Sequence, residues 1–344
     1  MRAKDLKEVL RNSLDAGSSP EIELGSIFIW GPPGIGKSRI CEEVAIEQKA
    51  GCIDFRLVLC DPTDLRGLPF PFKDEKGVER CVWIPPDELP RENDPKFPSR
   101  GFLFFNDFPT APPLTQSSAF QMAIRPHQLG AYQLPEGWVV IAAGNRMEDR
   151  SGAHRMPKAL SNRWMHIELD VQVDDWVDWA IKHEIDSNII GFLKWKPTLL
   201  HAFDPASSEE AFATPRTWEM VNRQLGSKLP PRILAETIEG TVGKGAASEL
   251  RAFITLQTEL PDIDKIFAGS DFVPEKVSLK YALITALATR AKPNQFDRLI
   301  RYSDKWPEEF AVLLVKMLVS RDSDALVKCP SMPEWSKKHK DVLI

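Results

Sequence analysis

Residues 26–38 read SIFIWGPPGIGKS, and the fold is decided there. Ser26–Trp30 is a short apolar run of the kind that forms a buried strand. Lys37–Lys49 returns to helical spacing, with Ile40, Val44 and Ala45 on one side. Between strand and helix, Gly31, Pro32, Pro33, Gly34, Ile35, Gly36, Lys37 and Ser38 fit G-x-x-x-x-G-K-[ST] at every fixed position. The glycines let the backbone curl so that successive N–H groups face phosphate oxygens, and the helix N-terminus adds its positive dipole end. In that frame Lys37 reaches the β/γ-phosphates and the Ser38 hydroxyl ligates Mg²⁺. The expected cofactors are therefore ATP and Mg²⁺.

Working outward, further strands are expected at Ile53–Leu59, Gly101–Phe105, Trp138–Ala143 and Met165–Leu169. Helices are expected at residues 4–15, where Leu6, Val9, Leu10 and Leu14 share a face, and at Thr115–Ile124 and Pro157–Arg163. The residues SSPE break the chain after the first of these. Alternation of strand and helix implies a parallel, doubly wound sheet. After Asp170 the strand signal stops, and the periodicity predicts helices at Asp174–His183, Pro215–Leu225, Arg232–Thr241, Ala246–Glu259, Leu279–Arg290 and Glu308–Leu318. This sets the expected boundary near Asp204–Ser208, with an α/β nucleotide-binding domain over 1–205 and an all-helical region over 206–344. SKKHK at Ser336–Lys340 reads as a solvated tail.

A phosphate loop needs an acidic strand end beside it. Two segments compete: LVLCD (Leu57–Asp61), which Pro62 follows directly, and FLFFND (Phe102–Asp107), a stronger buried run ending in Asn106-Asp107. The second is preferred, because the Trp138–Ala143 strand then ends in Gly144-Asn145. A polar amide at Asn145 could hold an attacking water against the γ-phosphate.

The rest of the composition excludes other classes. With 44 Lys+Arg against 49 Asp+Glu the formal charge is −5, so nonspecific coating of nucleic acid is unexpected. No apolar run approaches the ~20 residues of a membrane-spanning helix. The segment MRAKDLKEVL lacks the features of a signal peptide. Five cysteines without CxxC spacing argue against a disulfide framework or zinc site, and the expected location is the cytoplasm. The six histidines form no HExxH pair. Of 28 prolines, 13 fall between Asp61 and Pro135, which marks insertions there.

Taken together, GPPGIGKS, FLFFND, the APP of Ala111–Pro113, QLGAYQLPEGW (Gln128–Trp138), AAGN (Ala142–Asn145), ALSNRW (Ala159–Trp164) and TPRTW (Thr214–Trp218) resemble an AAA+ ATPase, more narrowly the MoxR-like group. The motifs come in that family's order and cover most of residues 25–220. The resemblance implies a P-loop NTPase sheet sandwiched by helices, followed by a helical lid. Within it Lys37 and Ser38 are Walker A, Asn106 and Asp107 stand at the Walker B acid positions, and Asn145 is sensor 1. Arg163 corresponds to an arginine finger inserted into a neighbouring subunit, and Arg216 to sensor 2; Arg155 in HRMP is a second trans-acting candidate. Gly67–Pro85 resembles the family's helix-2 insert and Pro126–Pro135 its pre-sensor hairpin. Their aromatics Phe70, Phe72 and Tyr132 either face a ring channel or pack under their own hairpins. The implied assembly is a homo-oligomeric ring, a hexamer, that remodels or activates a protein client, one bearing a von Willebrand A-type domain.

One residue departs from this pattern. Asn106 stands where the family carries Asp, and an amide gives up the charge and one acceptor oxygen. Asp107 is one methylene shorter than the usual Glu. Nucleotide binding is expected to survive and hydrolysis to be slow. A nucleotide-locked scaffold is thus an alternative. A DNA motor is a weaker one, since the hairpin tip QLGAYQ has no Lys or Arg.

Overall fold

A computed structural model describes residues 1–17 and 25–340; the expected SSPE break falls outside them. The chain divides into one unit of Met1–Val171 with Asp204–Ala206 and a second of Gln172–Phe203 with the residues from Ser207 on.

The first unit is built on five parallel strands in the order β2-β5-β8-β1-β9: β1 Ser26–Trp30, β2 Gly51–Phe55, β5 Gly101–Phe105, β8 Trp138–Gly144 and β9 Trp164–Glu168. Between them run α1 (Ala3–Gly17), α2 (Lys37–Glu47), α3 (Pro62–Arg66), the antiparallel hairpin β3–β4 (Leu68–Lys73, Glu79–Ile84), α4 (Pro113–Ser118), the small hairpin β6–β7 (Gln128–Leu129, Tyr132–Gln133) and α5 (Lys158–Ser161). The pleat sends alternate residues to opposite faces. Phe102 and Phe104 join Ile141, Ala143 and the α1–α2 residues Leu6, Leu10, Leu14 and Val44 on one face. Leu103 and Phe105 join Val140, Ala142, Phe108 and Trp164 on the other. Both faces of β5 and β8 are covered, which is why these strands read as unbroken apolar runs. The expected fold class, a parallel α/β phosphate-loop sheet between helices followed by an all-helical region, is the one observed.

Three expectations need correction. The second strand stops at Phe55 and does not run to Leu59. Among the described residues its only ladder partner is β5, which ends at Phe105 opposite Phe55, so Leu57–Leu59 finds no strand there to pair with and forms a 3₁₀ turn. The unit boundary lies at Val171 and not near 204–208, because the helices at Val173–Lys182 and Ser187–Trp195 belong to the helical unit. SKKHK is not a free tail. Its first three residues close the helix Met332–Lys338, and His339 is buried with Nδ1 3.1 Å from Glu308 Oε1. Of the two placements open to Tyr132, the packed one is observed: it is buried, and its hydroxyl donates to Pro90 O at 2.7 Å.

The second unit is helical: α6 Val173–Lys182, α7 Ser187–Trp195, α8 Pro215–Leu225, α9 Pro231–Val242, α10 Lys244–Thr255, α11 Ile263–Phe267, α12 Val277–Arg290, α13 Phe296–Ser303, α14 Glu308–Arg321, α15 Ser323–Val327 and α16 Met332–Lys338. Its centre is α12, buried continuously from Tyr281 to Ala288. Gly191 lets α7 approach α12 closely, since a Cβ there would lie 2.4 Å from the Thr285 methyl. Phe192 stacks edge-on to Trp218 of α8 and packs near Phe253 of α10. Among the described residues no helix is long and apolar enough to cross a membrane.

Candidate nucleotide-binding site

Strands of a parallel sheet all end on one side, and the crevice outside their carboxyl ends is where such sheets bind ligands. Here β1, β5 and β8 deliver Gly31, Asn106 and Asn145 to that side, with β8 lying between the other two. The loop from Gly31 to Gly36 then turns into α2. Gly34 (φ 75°) and Gly36 (φ 95°) hold left-handed backbone that a side chain would strain, so these two glycines shape the curl. Gly36 stands at the N-cap of α2 and has no side chain to bond the first helical N–H groups. Anions favour that end of the helix dipole.

Lys37 is 8% exposed. Its ammonium donates to Gly31 O (2.7 Å), Pro32 O (2.9 Å) and Asn145 Oδ1 (2.8 Å). A lysine that deep needs such partners, because an unpaired buried charge is strongly disfavoured. The phosphate loop thus holds its lysine folded against the loop's own carbonyls, with Asn145 supplying the side-chain acceptor.

Ser38, in the first turn of α2, donates through Oγ to Asn106 Oδ1 at 3.2 Å. The same oxygen accepts from the Asp107 N–H at 3.1 Å. This contact separates the two segments that compete in the sequence: β5 brings Asn106 to the loop serine, whereas LVLCD leaves the sheet before Asp61. Asp107 adopts left-handed backbone (φ 51°, ψ 34°), held by Thr110, whose N–H and hydroxyl both donate to its carbonyl. Its carboxylate has no hydrogen-bond donor among the described residues, so it stands open to water. Asparagine and aspartate tolerate this conformation best, and such backbone collects at functional sites.

The remaining expected residues stand on other elements. Arg163 is half-buried, with its guanidinium carbon 3.5 Å from the centroid of the Phe120 ring, a cation–π stack that fixes its direction. Arg155 is exposed on the preceding loop. Arg216 belongs to the helical unit, exposed on the first turn of α8, which Thr214 and Thr217 cap reciprocally. Of the three aromatics, Phe70 and Phe72 are exposed on the β3–β4 hairpin, while Tyr132 packs beneath its own.

One residue was missed in the sequence. Asp54 of β2 accepts from Asn106 Nδ2 at 3.4 Å and is itself held by Arg56 Nε and Nη2 at 3.2 and 3.1 Å. The signal was weak: a single acid inside GCIDF, on a strand whose pairing with β5 no local pattern reveals.

The amide oxygen of Asn106 faces the Ser38 hydroxyl, and oxygen ligands suit a hard cation. Mg²⁺ keeps several waters and takes one or two protein ligands plus substrate phosphates. Among the described residues no cluster of three or more His, Cys, Asp or Glu is arranged as a metal cage. Ser38 and Asn106 therefore fit Mg²⁺ brought in with a nucleotide, and they do not form a closed site for a resident metal.

No protein-family model and no curated protein matches the chain. Solved structures similar to it include a mutant of RuvB from Thermotoga maritima (15% identity, TM-score 0.42, covering 83% of this chain and 82% of that one). A putative ATPase from Cytophaga hutchinsonii is similar at 12% identity and TM-score 0.35, over 98% of this chain and 88% of that one. NtrX from Brucella abortus is similar at 12% identity and TM-score 0.32, over 98% and 67%. The fold reading rests on the strand order and the phosphate loop.

Proposed function

We propose that the chain binds and hydrolyses ATP with Mg²⁺ as an AAA+ ATPase of the MoxR-like kind, acting in a homo-oligomeric ring on a protein client. The observation that carries this reading is the convergence of Lys37, Ser38, Asn106 and Asn145, from two strand ends and one helix start, on the crevice beside the phosphate loop. In this reading Lys37 exchanges its loop carbonyls for the β/γ-phosphate oxygens, and the N–H groups from Gly34 to Ser38 cradle the same phosphates. Ser38 and Asn106 hold Mg²⁺, which when bound neutralises developing phosphate charge. Asn145, released by Lys37, orients the attacking water, and the open carboxylate of Asp107 accepts its proton.

Arg163 then acts across a subunit boundary, stabilising the γ-phosphoryl charge in the neighbour's site, with Arg155 as a second candidate. Arg216, on the first turn of α8, is the proposed sensor 2 arginine. The exposed face of the β3–β4 hairpin, with Phe70 and Phe72, is the proposed contact with a client, one carrying a von Willebrand A-type domain; a hexamer is the proposed ring. The proposed location is the cytoplasm.

A second reading has one specific observation in its favour. Asn106 places an amide where charge would speed hydrolysis, so ATP could hold a ring together with little turnover. The ratio of turnover to ATP-dependent assembly decides between them. Light scattering during ATP addition, with phosphate release measured in parallel, tests both. Assembly with slow release supports the ring ATPase, whereas assembly with no release over many ring lifetimes supports the scaffold. Neither assembly nor release would remove the proposal.

A further inference from the structure

An asparagine side chain has two faces of opposite sense, one accepting and one donating, and only one serves a cation site. At Asn106 the amide oxygen must face Ser38, since Oδ1 accepts both the Ser38 hydroxyl and the Asp107 N–H. Rotated by half a turn, Asn106 would instead present N–H groups to the Asp107 N–H and to the incoming cation. An aspartate at this position, having two equivalent oxygens, would face no such choice. Something must therefore hold the amide.

We propose that Asp54 is the positioning residue for Asn106, an obligate acceptor on the neighbouring strand that locks the amide with its oxygen toward Ser38 and the nucleotide's cation. This inference rests on the nucleotide reading above and adds a residue to it. The sheet register explains the juxtaposition. Asp54 lies opposite Phe104 in the parallel β2–β5 ladder, and Asn106 follows Phe104 by two residues. Phe102, Phe104 and Asn106 share a pleat face, the one covered by α2, and Cys52 packs on that same face two residues before Asp54. The carboxylate is thus on the side from which Ser38 descends. Asp54 Oδ2 accepts from Asn106 Nδ2, and both Nε and Nη2 of Arg56 donate to the same oxygen. Arg56 therefore anchors Asp54, Asp54 orients Asn106, and Asn106 meets Ser38. A carboxylate cannot donate, so the Nδ2 side is fixed at one end of this chain. A backbone N–H cannot accept, so the Oδ1 side is fixed at the other.

Partners that orient a metal ligand from behind are worth 10–100-fold in metal affinity. Asp54 is one-third exposed, which puts it at the lower end. The test uses Mn²⁺ as the probe, its binding to the chain followed by electron paramagnetic resonance in the presence of a non-hydrolysable ATP analogue. Calorimetry of the same analogue in EDTA runs alongside. Asp54→Ala and Asp54→Val remove the acceptor, and Asp54→Asn keeps an acceptor oxygen while removing the charge.

Both acceptor-free variants should weaken Mn²⁺ about tenfold, leave the metal-free analogue within about twofold, and keep the parent's circular dichroism. Asp54→Asn should restore Mn²⁺ affinity to within about threefold of the parent. Unchanged Mn²⁺ affinity in folded Asp54→Ala or Asp54→Val overturns the proposal. Equal losses in Asp54→Asn and Asp54→Ala also overturn it, because the carboxylate would then act by charge and not by orientation. If the parent itself fails to bind the analogue in EDTA or with metal, the nucleotide reading falls and takes this inference with it.

Discussion

Replacing Asn106 by Asp restores a charge at the cation side of the site, but Asp54 limits what that substitution can gain. A preorganised catalytic group lost from such a site is worth ~3 kcal/mol, about a hundredfold in rate. A carboxylate at 106 would stand where the amide nitrogen now lies 3.4 Å from Asp54 Oδ2. Two unit charges at that separation repel by about 5 kcal/mol at an effective dielectric of ~20. Asp54 is one-third exposed and paired with Arg56, so solvent and the guanidinium screen most of this. A remainder of up to about 1 kcal/mol is the scale left to partly exposed pairs. Subtracting that from ~3 kcal/mol leaves about 2 kcal/mol, about thirtyfold, for Asn106→Asp alone. Removing the repulsion should recover the rest, giving about a hundredfold for Asp54→Asn with Asn106→Asp, while Asp54→Asn alone stays near the parent. Single-turnover hydrolysis at saturating Mg·ATP measures all four chains. Full acceleration in Asn106→Asp that the second substitution fails to increase would refute the like-charge argument. No acceleration in either, with collapse of turnover in Asp61→Asn, would refute the assignment of β5 as the acidic strand.

Three further outcomes are expected. Mixing an Arg163→Ala chain with a Lys37→Ala chain should give more activity than the sum of the two alone, because some mixed interfaces pair an intact loop with an intact arginine; no excess after verified subunit exchange contradicts a trans role. Phe70→Ser with Phe72→Ser should leave the thermal midpoint within a degree or two, since both rings are exposed, yet remove client-stimulated turnover; a large drop in midpoint would mean the hairpin is packed. Tyr132→Phe should lower stability by about 1 kcal/mol, the worth of a buried hydrogen bond, without changing nucleotide affinity, as read by urea titration and calorimetry; a change in affinity alone would return Tyr132 to the functional surface.

Much of the site was legible because its chemistry is local in sequence. The eight residues from Gly31 to Ser38 carry their own turn, donors and helix start, so pattern alone located them. Asn106 and Asn145 were legible for a related reason: buried central strands read as unbroken apolar runs, and the polar residue that ends each run marks the strand's carboxyl end. Asp54 was not, because its role depends on β2 pairing with β5 in one register across the 45 residues between Phe55 and Gly101. Leu57–Leu59 failed in the opposite way, being apolar enough for a strand but lacking a partner to extend the ladder. In the helical unit, α7 escaped because SNIIGFLKW is buried from Ile189 through Leu193 and so shows no polar face, and the close approach that Gly191 permits has no local signal. The unit boundary was misjudged with it. Tyr132 could not be assigned from sequence, since a hairpin aromatic reads alike whether it faces solvent or the core.

The most direct test of the central claim is calorimetric titration of Mg·ATP into the parent chain and into Lys37→Ala. Lys37 carries the one ammonium held against the carbonyls of Gly31 and Pro32 and the amide of Asn145, so it is the charge that phosphates would claim. Saturable binding to the parent, abolished in a Lys37→Ala chain of unchanged circular dichroism, is the predicted result. Affinities within about twofold of each other would contradict the phosphate-loop account.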